Sequence, residues 1–307
     1  MRKVLFATTA LVALGGVSAA SADISVGGSA SHNIVSGSGN GYETDSQSMS
    51  TTVDFGISGS STLDNGMTVA GGLDLDENAD STNAIDDSGF TLSGDFGTLG
   101  FGGYAEAAFG AMAIDVTADE GNALTATYTA LLPGDEAIDH ADVSLKLPSI
   151  SGATIMVGMS DGDTDDGDGT QAGISYTMDA GGMGVTVAYA ASSTGEANTD
   201  DSQIAAKVTA GDAAITVISG ESGNYSNSGV GVTYALNDSL TVQAYTGSTE
   251  LDTNSAYEVK DTGIGFTYTV TPGMSISVTS NDWSGKNGTA ADAESGTTTK
   301  LALDVTF

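Results

Sequence analysis

The last nine residues, Thr299-Lys300-Leu301-Ala302-Leu303-Asp304-Val305-Thr306-Phe307, decide how the rest of the chain is read. Leu301, Leu303, Val305 and Phe307 fall on one side, and Lys300, Asp304 and Thr306 on the other. Period two with one apolar and one polar side is the signature of a β-strand. The pattern recurs upstream. Thr51–Ser58 sets Val53, Phe55 and Ile57 against Asp54, and Thr68–Asp76 sets Val69, Leu73 and Leu75 against Asp74 and Asp76. Gly89–Phe96 sets Phe90, Leu92 and Phe96 against Asp95, while Asp142–Leu147 sets Val143, Leu145 and Leu147 against Lys146. Nine further copies lie at 153–159, 174–178, 185–189, 204–208, 215–219, 230–236, 240–246, 264–270 and 274–278. With Ile24–Ile34 and Leu99–Glu106 the count reaches sixteen.

The links between these segments alternate too. Short ones at 64–66, 96–98, 148–149, 180–182, 211–212, 237–238 and 271–273 carry Gly, Asn or Pro, the residues tight hairpins demand. Long, polar, Asp-rich links lie between them at about 36–47, 78–87, 161–169, 193–201, 221–227, 250–256 and 283–295, and the longest spans roughly 107–138. An even strand number with short turns on one rim and long loops on the other predicts an all-β, transmembrane, antiparallel up-and-down barrel of sixteen strands. A sheet with open edges would strand backbone groups in hydrocarbon, so it must close. Sixteen strands then enclose a water-filled lumen, which accommodates the polar faces.

Composition excludes several classes. Of 307 residues, 40 are Asp or Glu and only 7 are Lys or Arg, giving a formal charge of −33. So few basic groups argue against a nucleic-acid partner. The absence of cysteine removes disulfide scaffolds and thiolate metal sites. Residues 1–22 predict a signal peptide: Arg2 and Lys3 precede an apolar run, Val4–Gly16, and Ala20-Ser21-Ala22 supplies a cleavage pattern. Its removal takes away two basic groups and no acid, leaving a barrel over 23–307 with five lysines, no arginine and a charge of 5 − 40 = −35.

The signal, the start Asp23-Ile24-Ser25-Val26-Gly27-Gly28, the sixteen-strand layout and the Asp-Val-Thr-Phe ending resemble the alphaproteobacterial, Rhodobacter-type general-diffusion porins over the whole mature chain. The resemblance implies an outer-membrane homotrimer, contacts with outer-membrane lipid, and passive diffusion of small hydrophilic solutes. It also implies a third loop, here 107–138, folded into the lumen, with Asp115, Asp119, Glu120, Asp135 and Glu136 as constriction carboxylates. The closing aromatic Phe307 resembles the signal read by the barrel-assembly machinery. In that family a cluster of basic residues, largely arginine, faces the constriction acids, and the mature chain here departs from the pattern in having no arginine. Alternation assigns Asp54, Asp74, Asp76, Asp95, Glu106 and Asp304 to the lumen, together with Lys146, Lys207 and Lys300. A carboxylate-lined lumen concentrates cations, so a cation-preferring pore is expected.

Other features are read more blandly. In the acidic loop at 161–169, Asp161, Asp163, Asp165 and Asp166 are spaced so that their oxygens could bind Ca²⁺. The sixth-position glycine and closing glutamate of an EF-hand are missing, so a solvated loop is favoured over weak Ca²⁺ or Mg²⁺ bridging, and no cofactor is required. His32 and His140 are the only histidines and sit in no catalytic pattern, so they are assigned to the lumen or rim and no enzyme is expected. Tyr104, Tyr176, Tyr189, Tyr234, Tyr245 and Tyr268 are assigned to interfacial girdles or the lumen, and Trp283 to the outer rim. Small outward residues, Gly59, Gly71, Gly94, Gly103 and Ala105, would suit barrel–barrel contact. The alternatives are a secreted acidic Ca²⁺-binding adhesin, which lacks the expected nonapeptide repeats, and a barrel enzyme, which lacks a catalytic constellation.

Overall fold

The computed structural model describes residues 23–39, 46–76, 88–108, 111, 141–160, 169–193, 200–251, 257–287 and 293–307. It forms one closed antiparallel barrel in which every strand pairs with its sequence neighbours and the first pairs with the last. The strands are β1 (Asp23–Gly39), β2 (Ser46–Thr62), β3 (Thr68–Asp76), β4 (Ser88–Gly94), β5 (Gly97–Gly102) and β6 (Val143–Lys146). They continue with β7 (Ala153–Ser160), β8 (Gly169–Asp179), β9 (Met183–Ser193), β10 (Asp201–Ala210) and β11 (Ala213–Ser222). The circuit ends with β12 (Tyr225–Asn237), β13 (Leu240–Leu251), β14 (Tyr257–Thr271), β15 (Met274–Asn287) and β16 (Ala293–Thr306). The sixteen expected strands are all present. No helix among the described residues is long and apolar enough to cross a membrane.

The alternation in the sequence becomes two faces. Outward Val26, Ile204 and Ile264 are 70%, 56% and 65% exposed, so the apolar side chains coat the outside rather than a core. That arrangement is stable only against hydrocarbon. Outward Tyr176, Tyr234 and Tyr268 lie at the short-turn ends of β8, β12 and β14, where ring and hydroxyl suit the membrane interface.

Closure is concentrated at the seam between β1 and β16, whose register runs from Ser29↔Thr306 to Gly39↔Gly296. Below it, Gly28 N donates to Phe307 O at 2.8 Å and Phe307 N donates to Gly28 O at 2.9 Å. The Phe307 ring meets Phe55 edge-on, with centroids 5.6 Å apart and planes at 69°. A Cβ at Gly28 would come within 2.9 Å of that ring and 2.7 Å of the Asp54 carbonyl, so glycine is required there. Phe307→Ala removes the aromatic pair and part of its burial, about 1–3 kcal/mol. The folded, fast-migrating gel band of that variant is expected to unfold at a lower temperature than wild type. An unchanged transition would show that the clasp contributes nothing.

Several boundaries differ from the sequence reading. Asp95, expected inside, lies exposed in the β4–β5 turn, because Gly94 pairs with Gly97 and Gly97 takes φ 112°. The supposed long link at 221–227 is a two-residue hairpin, Gly223-Asn224, between Ser222 and Tyr225. Gly223, at φ 56°, provides the left-handed backbone, and above the apolar band polar residues on both faces hide strand continuation from hydropathy. Trp283, assigned to the outer rim, lies within β15 near the end that leads into the long link, and it faces inward. His32 faces outward, in register with Leu303, and hydrogen-bonds Thr51 Oγ1 through Nδ1 at 2.8 Å.

Candidate functional site

The inner wall is where polar chemistry collects. On the inner face Ser29 of β1 donates to Asp54 Oδ2 of β2 at 3.1 Å, and the backbone of Asp54 is in register with Asp76 at the end of β3. Asp74 leans over the bare backbone of Gly56, where a Cβ would sit 2.6 Å from its Oδ1. Asp304 continues this acidic stretch on β16, in register with Ser31 of β1 and Ser275 of β15. These expected lining residues are therefore brought together on β16 and β1 to β3.

The three expected lysines also face inward, but apart from one another. Lys146 on β6 is held by Glu106 at 3.0 Å, with both side chains about half exposed. Glu106 itself lies beyond β5, which ends at Gly102 because Gly102 turns to φ 61° and Ala105 N bonds back to Gly102 O at 2.7 Å. Lys207 stands between Thr186 and Thr216 on the inner face of β10. Lys300 stands between Thr279 and Val35. Lys260 faces outward by register and pairs with Glu258. Among the described residues no group of three or more acidic or imidazole side chains is arranged to hold a metal ion.

Two inward acids escaped the sequence reading. Asp201 on β10 is almost fully buried and accepts a hydrogen bond from Ser192 Oγ at 3.1 Å. Asp261 on β14 lies beside Trp283, its register partner. Both sit above the apolar band. Extending the period-two count by three residues from Ile204 and Ile264 would have put each on the inner face.

The roots of the third long loop turn into the lumen. Ala105, Ala108 and Ala141 are buried, and a Cβ at Gly158 of β7 would lie 3.3 Å from the Ala141 Cβ. The Tyr104 hydroxyl occupies the space above Gly72 on β3. Tyr104 is thus inside, as is Tyr245, while Tyr189 joins the outward set. Gly103 and Ala105, read as outward strand residues, belong to this inward turn, whereas Gly59, Gly71 and Gly94 do face outward. Gly72→Ala would drive a methyl into the Tyr104 hydroxyl and the Ile57 carbonyl, costing about 1–3 kcal/mol. Gly59→Ala meets nothing closer than 3.6 Å. The first substitution is expected to lower the unfolding temperature and the second to leave it unchanged; equal effects would contradict the contact.

The expected constriction acids Asp115, Asp119, Glu120, Asp135 and Glu136 lie outside the described residues. So do His140, the loop acids Asp161, Asp163, Asp165 and Asp166, and residues 1–22.

The sequence matches the Gram-negative porin family over residues 7–297. The chain belongs to that family. Solved porins share its barrel. It is similar to a mutant form of the Rhodobacter blastica porin, with a TM-score of 0.71 and 17% identity, covering 93% of this chain and 100% of that one. An anion-selective porin from Comamonas acidovorans aligns over 94% of this chain and 100% of its own, with a TM-score of 0.65 and 13% identity. OmpT of Vibrio cholerae, expressed in the outer membrane, aligns over 95% and 99%, with a TM-score of 0.68 and 13% identity. None of the curated protein sequences matches this one. The assignment is therefore to Gram-negative porins at large, and the likeness to the Rhodobacter type is one of fold. A porin barrel with an apolar exterior displaces the adhesin alternative, whose outside would have to meet water.

Proposed function

We propose that the chain forms a water-filled outer-membrane channel through which small hydrophilic solutes and ions diffuse passively, with a preference for cations. The closed sixteen-strand barrel, apolar outside and polar inside, carries the pore reading. The fold itself does not fix ion sign, and a porin described as anion-selective shares it. Lining charge decides the preference. Asp54, Asp74, Asp201, Asp261 and Asp304 face inward against Lys146, Lys207 and Lys300, and Glu106 already engages Lys146. Counter-ions gather where such a surface potential is negative.

The inward roots of the third loop support a loop that narrows the lumen, with Asp115, Asp119, Glu120, Asp135 and Glu136 adding to the negative field. Gly59, Gly71 and Gly94 support close barrel–barrel contact in a homotrimer, and one solved OmpT of Vibrio cholerae is described as a trimer form. Export through residues 1–22, assembly through the C-terminal strand, and weak Ca²⁺ bridging at Asp161, Asp163, Asp165 and Asp166 complete the reading, which includes no catalysed reaction.

Liposome swelling tests the pore. Vesicles containing the protein are expected to swell in iso-osmotic small sugars at rates that fall with solute size. Rates equal to those of empty vesicles would overturn it.

A further inference from the structure

The chain leaves the wall after β5 and rejoins it before β6, and both segments are seated on the inner face. On the way out, Gly103 N donates to Ser88 O at 3.0 Å and Ala105 N to Gly102 O at 2.7 Å. On the way back, Asp142 N donates to Met159 O at 2.9 Å, and the Asp142 carbonyl accepts from Gly102 N at 3.0 Å. The two segments meet over β7, where a Cβ at Gly158 would lie 3.3 Å from the Ala141 Cβ and 3.8 Å from Ala108 N. Ala111 N donates to Ala107 O at 2.8 Å, so the outgoing segment passes into a helical turn.

Glu106 stands between the last backbone bond to the wall region, at Ala105, and that turn. Its Oε2 accepts a hydrogen bond from Lys146 Nζ at 3.0 Å, across 40 residues of sequence. Lys146 has no acid beside it in register, since its inner-face neighbours are Thr98 on β5 and Met156 on β7. The carboxylate that meets it therefore comes from the other end of the third long link. The pair Lys260–Glu258 lies within β14, whereas Lys146–Glu106 joins the segment before the link to the strand after it. Backbone bonds hold 103–105, and Ala108 is fully buried, but a methyl group has no directional contact. An ammonium–carboxylate hydrogen bond does, and it fixes the heading of the chain between those two points. Both side chains are about half exposed, so the pair stands in contact with lumen water.

We infer that Glu106 is a positioning residue: through Lys146 it clasps the neck of the third long link to the inner wall and so sets the width of the lumen there. The inference rests on that link narrowing the lumen. The clasp is separable from the charges that form it. Glu106→Gln and Lys146→Gln break the same pair but change the lining charge in opposite directions.

Proteoliposomes carrying wild type, E106Q, K146Q, the double variant and the swapped E106K/K146E are swollen in arabinose and in sucrose. Reversal potentials are recorded on the same preparations in a KCl gradient. Each single variant is expected to raise the sucrose-to-arabinose rate ratio about twofold, the scale of one half-exposed ion pair, with no further rise in the double variant and a return to wild type in the swap. Reversal potentials should move toward chloride in E106Q and toward potassium in K146Q. A rate ratio unchanged in both single variants, or a swap as permeable to sucrose as they are, would overturn the clasp even if the potentials shift as stated. Replacing residues 112–134 by a short Gly-Ser linker checks the premise separately. A rate ratio identical to wild type in that variant would count against the narrowing link on which the inference rests.

Discussion

Replacing Asp54, Asp74 and Asp304 together by asparagine is expected to remove most of the cation preference of the channel. Each carboxylate stands on the inner face of the same stretch of wall, formed by β16 and β1 to β3. A unit charge about 5 Å from a permeating ion in water contributes about 0.8 kcal/mol by Coulomb's law, and screening at physiological salt roughly halves it. Half a kilocalorie is about a twofold fall in local cation concentration and a twofold rise for the anion, about fourfold in their ratio, so three substitutions should lower the cation-to-anion permeability ratio by about sixtyfold if they act independently. Asparagine keeps size and hydrogen bonding, so the barrel should fold as before. Reversal potentials measured for wild type and variant in the same KCl gradient decide the matter, and identical values would show that these wall carboxylates do not set selectivity. Lys207→Gln should move the ratio the opposite way by about fourfold, because it removes an inward cation.

The second large effect concerns the outer face. Ile264 is the eighth residue of β14, near its middle, and points outward, while Thr267 three positions on points inward. Arginine at a lipid-facing mid-strand position costs about 2–4 kcal/mol in a transmembrane barrel. Ile264→Arg is therefore expected to shift urea unfolding in lipid vesicles to markedly lower denaturant. Thr267→Arg should leave the midpoint nearly unchanged and lower cation preference instead. Equal destabilisation by both would mean that the two faces are not lipid and water.

The fold was legible because its rule is local. Where hydrocarbon meets one face, every second residue must be apolar, and Val53, Phe55 and Ile57 or Leu301, Leu303 and Val305 announce that rule directly. The same logic explains what the sequence concealed. Beyond the hydrocarbon band both faces are polar, so strand continuation at Ser46–Ser50, Asp201–Gln203 and Tyr257–Gly263 leaves no hydropathy signal. The tight hairpin at Gly223-Asn224 resembled a loop for that reason. Asp201, Asp261 and Trp283 were misplaced or missed with it.

Composition alone could not locate charges relative to the wall. Asp95 and Glu106 satisfied the alternation by count, yet glycines at 97 and 102 take positive φ and end the adjoining strands first. Tyr104 shows the limit most plainly. Its inward position depends on a glycine 32 residues away, Gly72, whose missing Cβ leaves room for the hydroxyl. Such long-range fit has no local signature. The period, the turn chemistry and the even strand number, by contrast, run along most of the chain, as does the match to the Gram-negative porin family.

The account stands most directly on the sign of the zero-current potential of the wild-type channel. Reconstituted in a planar bilayer with a tenfold KCl gradient, it should give discrete conductance steps and a reversal potential displaced toward the potassium equilibrium value. Displacement toward the chloride value, or the absence of steps, would contradict it.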